Sequence, residues 1–430
     1  MAIQSGEFVS VGIAAEVSYG SLSAGVPDAS GLSFTFPRAI ASLRAMPTES
    51  PAEDEVQTRD GSYRYPPRPN AGWDAGNSRR RQRMSGSFTI EGEYDPPTPG
   101  TPTDHATATL RLILASFMAE LNDPAAGSEG VAGSTGANIL TATTSTLYTM
   151  GAIIGHTDGG KAKWAQVTDV DGTAITYSPR IDADGLAESD VVRFHRTLYV
   201  PPGGQSGSLG SLGVRFDAIG VRYYAVGCVV ESVSITETAG NLLRWSATLQ
   251  SPYIYSDHGN AAVVEPTATA NMRAHRINAA TTVSSAAAPV TPPAALTPVE
   301  YEPDPGSVTL NITNAVGTAG LASDGMPSRL KVVSTDATLA FTLSDPLATI
   351  ANDYEASTQR TWVAGWGPQI AGSGLAIIIP RGHLMMSAAV REAPAGDVVK
   401  QSVSVRPGKP YAVDASTDVA SSPLLIGLGL

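Results

Sequence analysis

The feature that most constrains this chain is an apolar alternation of period two. Phe88 and Ile90 alternate with Ser87, Thr89 and Glu91, and Leu243, Trp245, Ala247 and Leu249 alternate with Arg244, Ser246, Thr248 and Gln250. Val229, Val233 and Ile235 share one side of a run whose other side carries Val230, Ser232, Ser234 and Thr236. Successive side chains of an extended chain point to opposite faces, so these runs predict strands with one buried face. Thr238-Ala239-Gly240-Asn241 between two of them is turn chemistry, which predicts a hairpin over 228–250.

One stretch has a helical period. Leu110, Ile113, Leu114, Phe117, Met118 and Leu121 fall on one stripe, with Arg111 and Glu120 off it. Asp104 is placed to cap the start and Asn122-Asp123-Pro124 to end it, so the spacing predicts an amphipathic helix over 104–122 packed on a sheet.

The C-terminal third repeats the pattern. Ala239-Gly240-Asn241-Leu242-Leu243-Arg244-Trp245-Ser246-Ala247-Thr248-Leu249 can be laid on Ala395-Gly396-Asp397-Val398-Val399-Lys400-Gln401-Ser402-Val403-Ser404-Val405. Upstream, Leu339, Phe341 and Leu343 lead into Ser344-Asp345-Pro346, a helix start, as Phe88–Tyr94 leads into 104–122. The separation of Asp104 from Gly240 exceeds that of Asp345 from Gly396 by nearly the length of residues 125–207. The expected fold is therefore mainly β, with a flanking helix, duplicated in one chain. Residues 1–124 and 208–258 form the first copy, 125–207 an inserted small β-module, and 307–430 the second copy. Residues 259–306, rich in Ala, Thr and Pro, are expected as an extended linker or arm.

Composition narrows the function. Only 16% of residues are charged while 42% are hydrophobic, which suits a protein that covers its surface with copies of itself. The net charge of −12 argues against a basic nucleic-acid groove. The single cysteine, Cys228, lies in an apolar run and reads as a buried structural thiol. Met1-Ala-Ile-Gln-Ser-Gly-Glu carries no secretory pattern and no apolar run is long enough to span a membrane, so assembly in a cytoplasm is expected.

No chemistry stands out. The glycine-rich Pro202–Gly210 segment lacks a phosphate-loop lysine, and the six histidines show no metal-ligand spacing. Asp169-Val170-Asp171-Gly172 and Asp182-Ala183-Asp184-Gly185 do not continue to the glutamate of a calcium loop and read as turns. No catalytic residue, cofactor or metal is expected. The long irregular stretch 47–84 instead carries an acidic cluster, Glu49, Glu53, Asp54 and Glu55, and a basic one, Arg79, Arg80, Arg81 and Arg83. Their opposite signs suggest contacts between subunits.

Several segments together resemble the tail tube proteins of long-tailed bacteriophages. Glu16-Val17-Ser18-Tyr19-Gly20 is similar to the Glu-x-x-Tyr-Gly start common in that family, and Ser85–Glu91 looks like the strand that follows its long loop. Val226–Ile235 resembles the strand before its last hairpin, and 374–381 and 423–427 resemble the second half of duplicated members. The resemblance implies a β-sandwich or barrel fold and self-assembly into rings, three chains if both copies line the tube and six if the second is peripheral. It also implies stacking of rings through 47–84, other tail proteins (tape measure, terminator, baseplate or tip) as partners, and a lumen that conducts DNA without binding it specifically. The location would be the virion tail. A decoration protein or adhesin would share the Thr/Ser/Gly bias but not the helix between strands. A carbohydrate-active enzyme could use Trp73, Trp362 and Trp366, but no carboxylate pair accompanies them.

Overall fold

The computed structural model of the chain describes residues 10–16, 22–23, 26–27, 31–35, 84–94, 109–121, 127–182, 184–201, 210–218, 221–238, 242–257, 282–287, 298–319, 329–344, 347–366, 374–385, 391–392, 400–408 and 422–429. The fold is mainly β, dominated by one large antiparallel sheet. The first elements are β1 (Ser10–Ala15), the small pair β2 (Leu22–Ser23) and β3 (Val26–Pro27), β4 (Met84–Glu93), helix α1 (Thr109–Ala115) and β5 (Ala119–Glu120). Next come β6 (Ser128–Gly130), β7 (Gly133–Gly136), β8 (Ile139–Thr141), β9 (Ile153–Asp158), β10 (Lys161–Asp171), β11 (Ala174–Ser178) and β12 (Val191–Tyr199). β13 (Leu212–Ala218), β14 (Val221–Thr238) and β15 (Leu242–Asp257) precede β16 (Thr282–Ala287), β17 (Val299–Tyr301), β18 (Thr309–Thr318) and β19 (Leu330–Leu343). Helix α2 (Ala348–Glu355) leads to β20 (Arg360–Trp366), β21 (Leu375–Leu384), β22 (Arg391–Glu392), β23 (Lys400–Pro407) and β24 (Leu425–Gly429).

Two groups of strands share one neighbour order. β1 pairs with β13, β13 with β14, β14 with β15, and β15 with β4. β16 pairs with β20, β20 with β21, β21 with β23, and β23 with β19. In each group the chain runs through the outer two strands, a helix, and then the inner three. The registers correspond as well. Phe88 faces Leu249 and Leu249 faces Val230, while Leu339 faces Val405 and Val405 faces Leu384. Each group has a bulge on the same ladder, where Val226 and Gly227 stand against Gly213, and Pro380 and Arg381 against Thr361.

β14 continues past β13, and β18 pairs along the edge that β13 leaves, Ser232–Thr236 against Thr309–Thr313. β18 also pairs with β19 over Thr309–Thr318, so the sheet runs unbroken from the first group into the second. One continuous core contains Phe88, Ile90 and Phe216 from the first group and Leu339, Phe341 and Trp362 from the second.

Between α1 and β13, residues 131–194 enclose a smaller core of their own, including Leu140, Val167, Tyr177 and Phe194. Tyr148 and Phe194 meet edge to face at 5.1 Å. β12 belongs to both bodies, since its start pairs with β6 and β9 and its end with β5 and β24.

Three expectations change. The helical stripe ends early: α1 stops at Ala115, Phe117 and Met118 are buried in the turn that follows, and Ala119–Glu120 is a strand. A turn followed by an extended pair can bury residues 117 and 118 as well as a helix can, so the apolar spacing did not fix the boundary. Arg111 and Glu120, both off the stripe, are drawn together in a two-bonded ion pair instead. Residues 104–108 and 122–124 lie outside the described residues.

The stretch 259–306 contains the paired strands β16 and β17, with Val283, Ala286 and Tyr301 buried. Tyr301 stacks on Trp362 at 5.7 Å, and its hydroxyl lies 2.7 Å from that of Ser285. Neighbouring strands here outweigh a composition that is poor in β-formers. Finally, Val230 rather than Val229 shares the inward row of Leu249, because a register shift between Val230 and Ser232 changes the alternation.

Candidate assembly face

Residues directly opposite in a ladder lie on the same face, so rows can be traced across the sheet. Thr89, Thr248, Ser232, Thr313 and Asp336 form one row across β4, β15, β14, β18 and β19. Glu91, Ser246, Ser234, Asn311 and Thr338 form the next. A third runs Glu93, Arg244, Thr236, Thr309, Ala340 and Ser404, reaching β23. Thr89 and Thr248 hydroxyls are 3.0 Å apart, and those of Ser234 and Thr236 are 3.3 Å apart. These rows carry hydroxyls, amides and a few carboxylates. Arg244, their single cation, stands opposite Glu93.

The alternate rows are apolar and buried: Ile90, Ala247, Val233, Ile312 and Ala337, then Trp245, Ile235, Leu310, Leu339 and Val405. Trp245 lies over Gly92, where any Cβ would collide with the indole, and its Nε1–H donates to the Glu93 carbonyl at 3.0 Å. Each large side chain so buried stabilises the sheet by about 1.5–3 kcal/mol. The seam between the two groups therefore has the same two-faced character as the ladders on either side.

Glu16, part of the Glu-x-x-Tyr-Gly motif, is buried at the end of β1. Its carboxylate accepts the Ser211 hydroxyl at 2.6 Å and the Gly227 backbone N–H at 2.9 Å. Gly227 sits in the bulge of β14 at φ 67°, a conformation that favours glycine. One side chain thus fixes β1, the approach to β13 and the bulge together. Cys228, next to the bulge, is fully buried. Burial, and then the Glu16 charge, push its thiol well above the ordinary value.

The module is fixed to the second group by Trp164, whose ring lies where a Cβ on Gly365 would be, and by contacts with Val363, Ala376 and Ile378. Glu300 on β17 bridges Lys161 at 2.9 Å and Lys163 at 3.1 Å, both on β10. The Lys161 bond lowers the Glu300 carboxyl below its usual value.

Of the helix residues singled out from the sequence, Leu110, Ile113, Leu114, Phe117 and Met118 lie in the main core, and Leu121 packs half-buried against the small cluster that contains Trp164 and Ile378. Glu53, Asp54, Glu55, Arg79, Arg80, Arg81 and Arg83 lie outside the described residues. The seam β14–β18 was missed by sequence reasoning: its alternation was visible, but which strands would meet was not. His156, Asp182 and Asp190 form one group among the described residues whose ligand atoms gather within 4.8 Å of one another. No helix among those residues is long and apolar enough to cross a membrane.

Compared with protein-family models and with curated proteins, the chain matches none.

Proposed function

We propose that this chain is a structural subunit of a phage tail tube, built from two copies of one fold, that assembles into stacked rings around a lumen for DNA. The observation that carries this reading is the repeated neighbour order β1-β13-β14-β15-β4 and β16-β20-β21-β23-β19, with corresponding registers and a bulge on the same ladder. The seam β14–β18 is then the in-chain version of the contact that joins one chain to the next. In the second copy the position of that seam falls to β22, which among the described residues pairs with β23 alone. Three chains, each giving two copies, would close a ring of pseudo-sixfold symmetry.

The hydroxylated rows would face the lumen. Tight binding of a duplex needs Lys or Arg to neutralise phosphates, and a Ser/Thr wall with few carboxylates offers almost none, so DNA would slide. Stacking through 47–84, contacts with tape measure, terminator and baseplate or tip proteins, and a place in the virion belong to the same proposal. Negative-stain imaging of concentrated protein tests it: rings or tubes with a central hole are expected, and a uniformly monomeric protein would refute it.

A further inference from the structure

We propose that the module holds a divalent transition-metal site, Zn2+ first, formed by His156, Asp182 and Asp190. The three residues come from separate pieces of chain: His156 from β9, Asp182 from the segment after β11, and Asp190 from the residue before β12. His156 is 7% exposed. Its Nδ1 lies 3.0 Å from the Val191 carbonyl, so Nδ1 is the donor, and in the neutral ring Nε2 keeps its lone pair. Metal-bound histidines are held in this way, with the remote nitrogen donating to a carbonyl or carboxylate.

Nε2 points toward Asp182 Oδ2 at 3.7 Å, too long for a hydrogen bond. Two ligands on one tetrahedral zinc, with bonds of about 2.0–2.1 Å, stand roughly 3.4 Å apart, so a small contraction brings this pair to bonding distance. Each carboxylate is already oriented through one oxygen. Asp182 Oδ1 accepts the Asp184 N–H at 2.8 Å, and Asp190 Oδ2 accepts the Ala187 N–H at 2.7 Å. One imidazole and two carboxylates suit Zn2+ or Mn2+ better than Ca2+, which takes oxygen ligands alone. With three protein ligands, water would complete the coordination. The ion would pin Asp182 and Asp190 onto β9 and so make the module rigid. This proposal stands apart from the tube reading.

The test uses the full chain, freed of metal with chelator and of any affinity tag. Titration with Zn2+ should show one ion bound per chain and a raised melting temperature. Co2+ should give the visible absorption bands of a low-coordinate site. The His156→Gln and Asp190→Asn variants should each lose affinity by roughly tenfold or more. Absence of Zn2+ and Mn2+ binding to the wild-type chain would overturn the proposal. So would undiminished affinity in both variants, or, should the variants not fold, a six-coordinate aqueous Co2+ spectrum with the wild-type chain.

Discussion

Val233 lies opposite Ile312 in the ladder β14–β18, and both are buried in the row that also holds Ala247 and Ala337. Through this rung one half of the chain continues as the other. Ile312→Ala should cost about 2–5 kcal/mol of stability, as large-to-small changes in packed cores do. Urea denaturation measures it, and a loss below 1 kcal/mol would show that the seam contributes little.

Glu16 holds β1 and the β14 bulge together through its bond to the Gly227 N–H. Glu16→Ala removes the hydrogen bonds that the Gly227 N–H and the Ser211 hydroxyl donate to the carboxylate, at about 1.5–3 kcal/mol for each bond to a charged group. Glu16→Gln keeps one acceptor oxygen and should recover part of the loss. Equal destabilisation by the two variants would contradict the assignment.

Arg111 and Glu120 bond through both carboxylate oxygens, at 2.7 and 2.6 Å, with side chains only 12% and 19% exposed. A double-mutant cycle with alanine at each position should return a coupling of about 0.5–3 kcal/mol. Zero coupling would mean that the pair does not hold α1 to β5.

Stability should fall in alkali through Cys228. The folded thiol keeps its proton, because burial and Glu16 raise its pKa, while the thiol of the unfolded chain ionises at about 8.5. The unfolded state therefore binds fewer protons above that pH, and unfolding becomes easier as pH rises. Cys228→Ala should flatten this slope between pH 8 and 10. An unchanged slope would place its origin elsewhere.

Reversing the charge of Arg79, Arg80, Arg81 and Arg83 should leave a folded subunit with weakened ring stacking, read as shorter tubes by electron microscopy. Tubes of normal length would remove 47–84 from the stacking contact.

Local structure was more legible than meeting points. The alternation at 84–93 and 242–249 announced strands, and the turn chemistry of Thr238–Asn241 announced the hairpin of β14 with β15, because period two is a property of the backbone itself. The helix at 109–115 was legible but its end was not, since Phe117 and Met118 are apolar whether they close a helix or fill a turn. Strand β16 was hidden by its Thr, Ser and Ala content, and acquires its structure from β20 and from Tyr301 on β17. The His156 group was invisible because its members are far apart in sequence and are brought together only when β9, the segment after β11 and the start of β12 fold against each other.

On the proposed function, two equivalent copies in each chain form the ring. A cryo-EM reconstruction of assembled rings tests it most directly. Three chains per ring, six near-equivalent lobes, and a β14–β18-like ladder repeated between chains at β22 are expected. Six chains per ring, with residues 307–430 outside the wall of the tube, would contradict it.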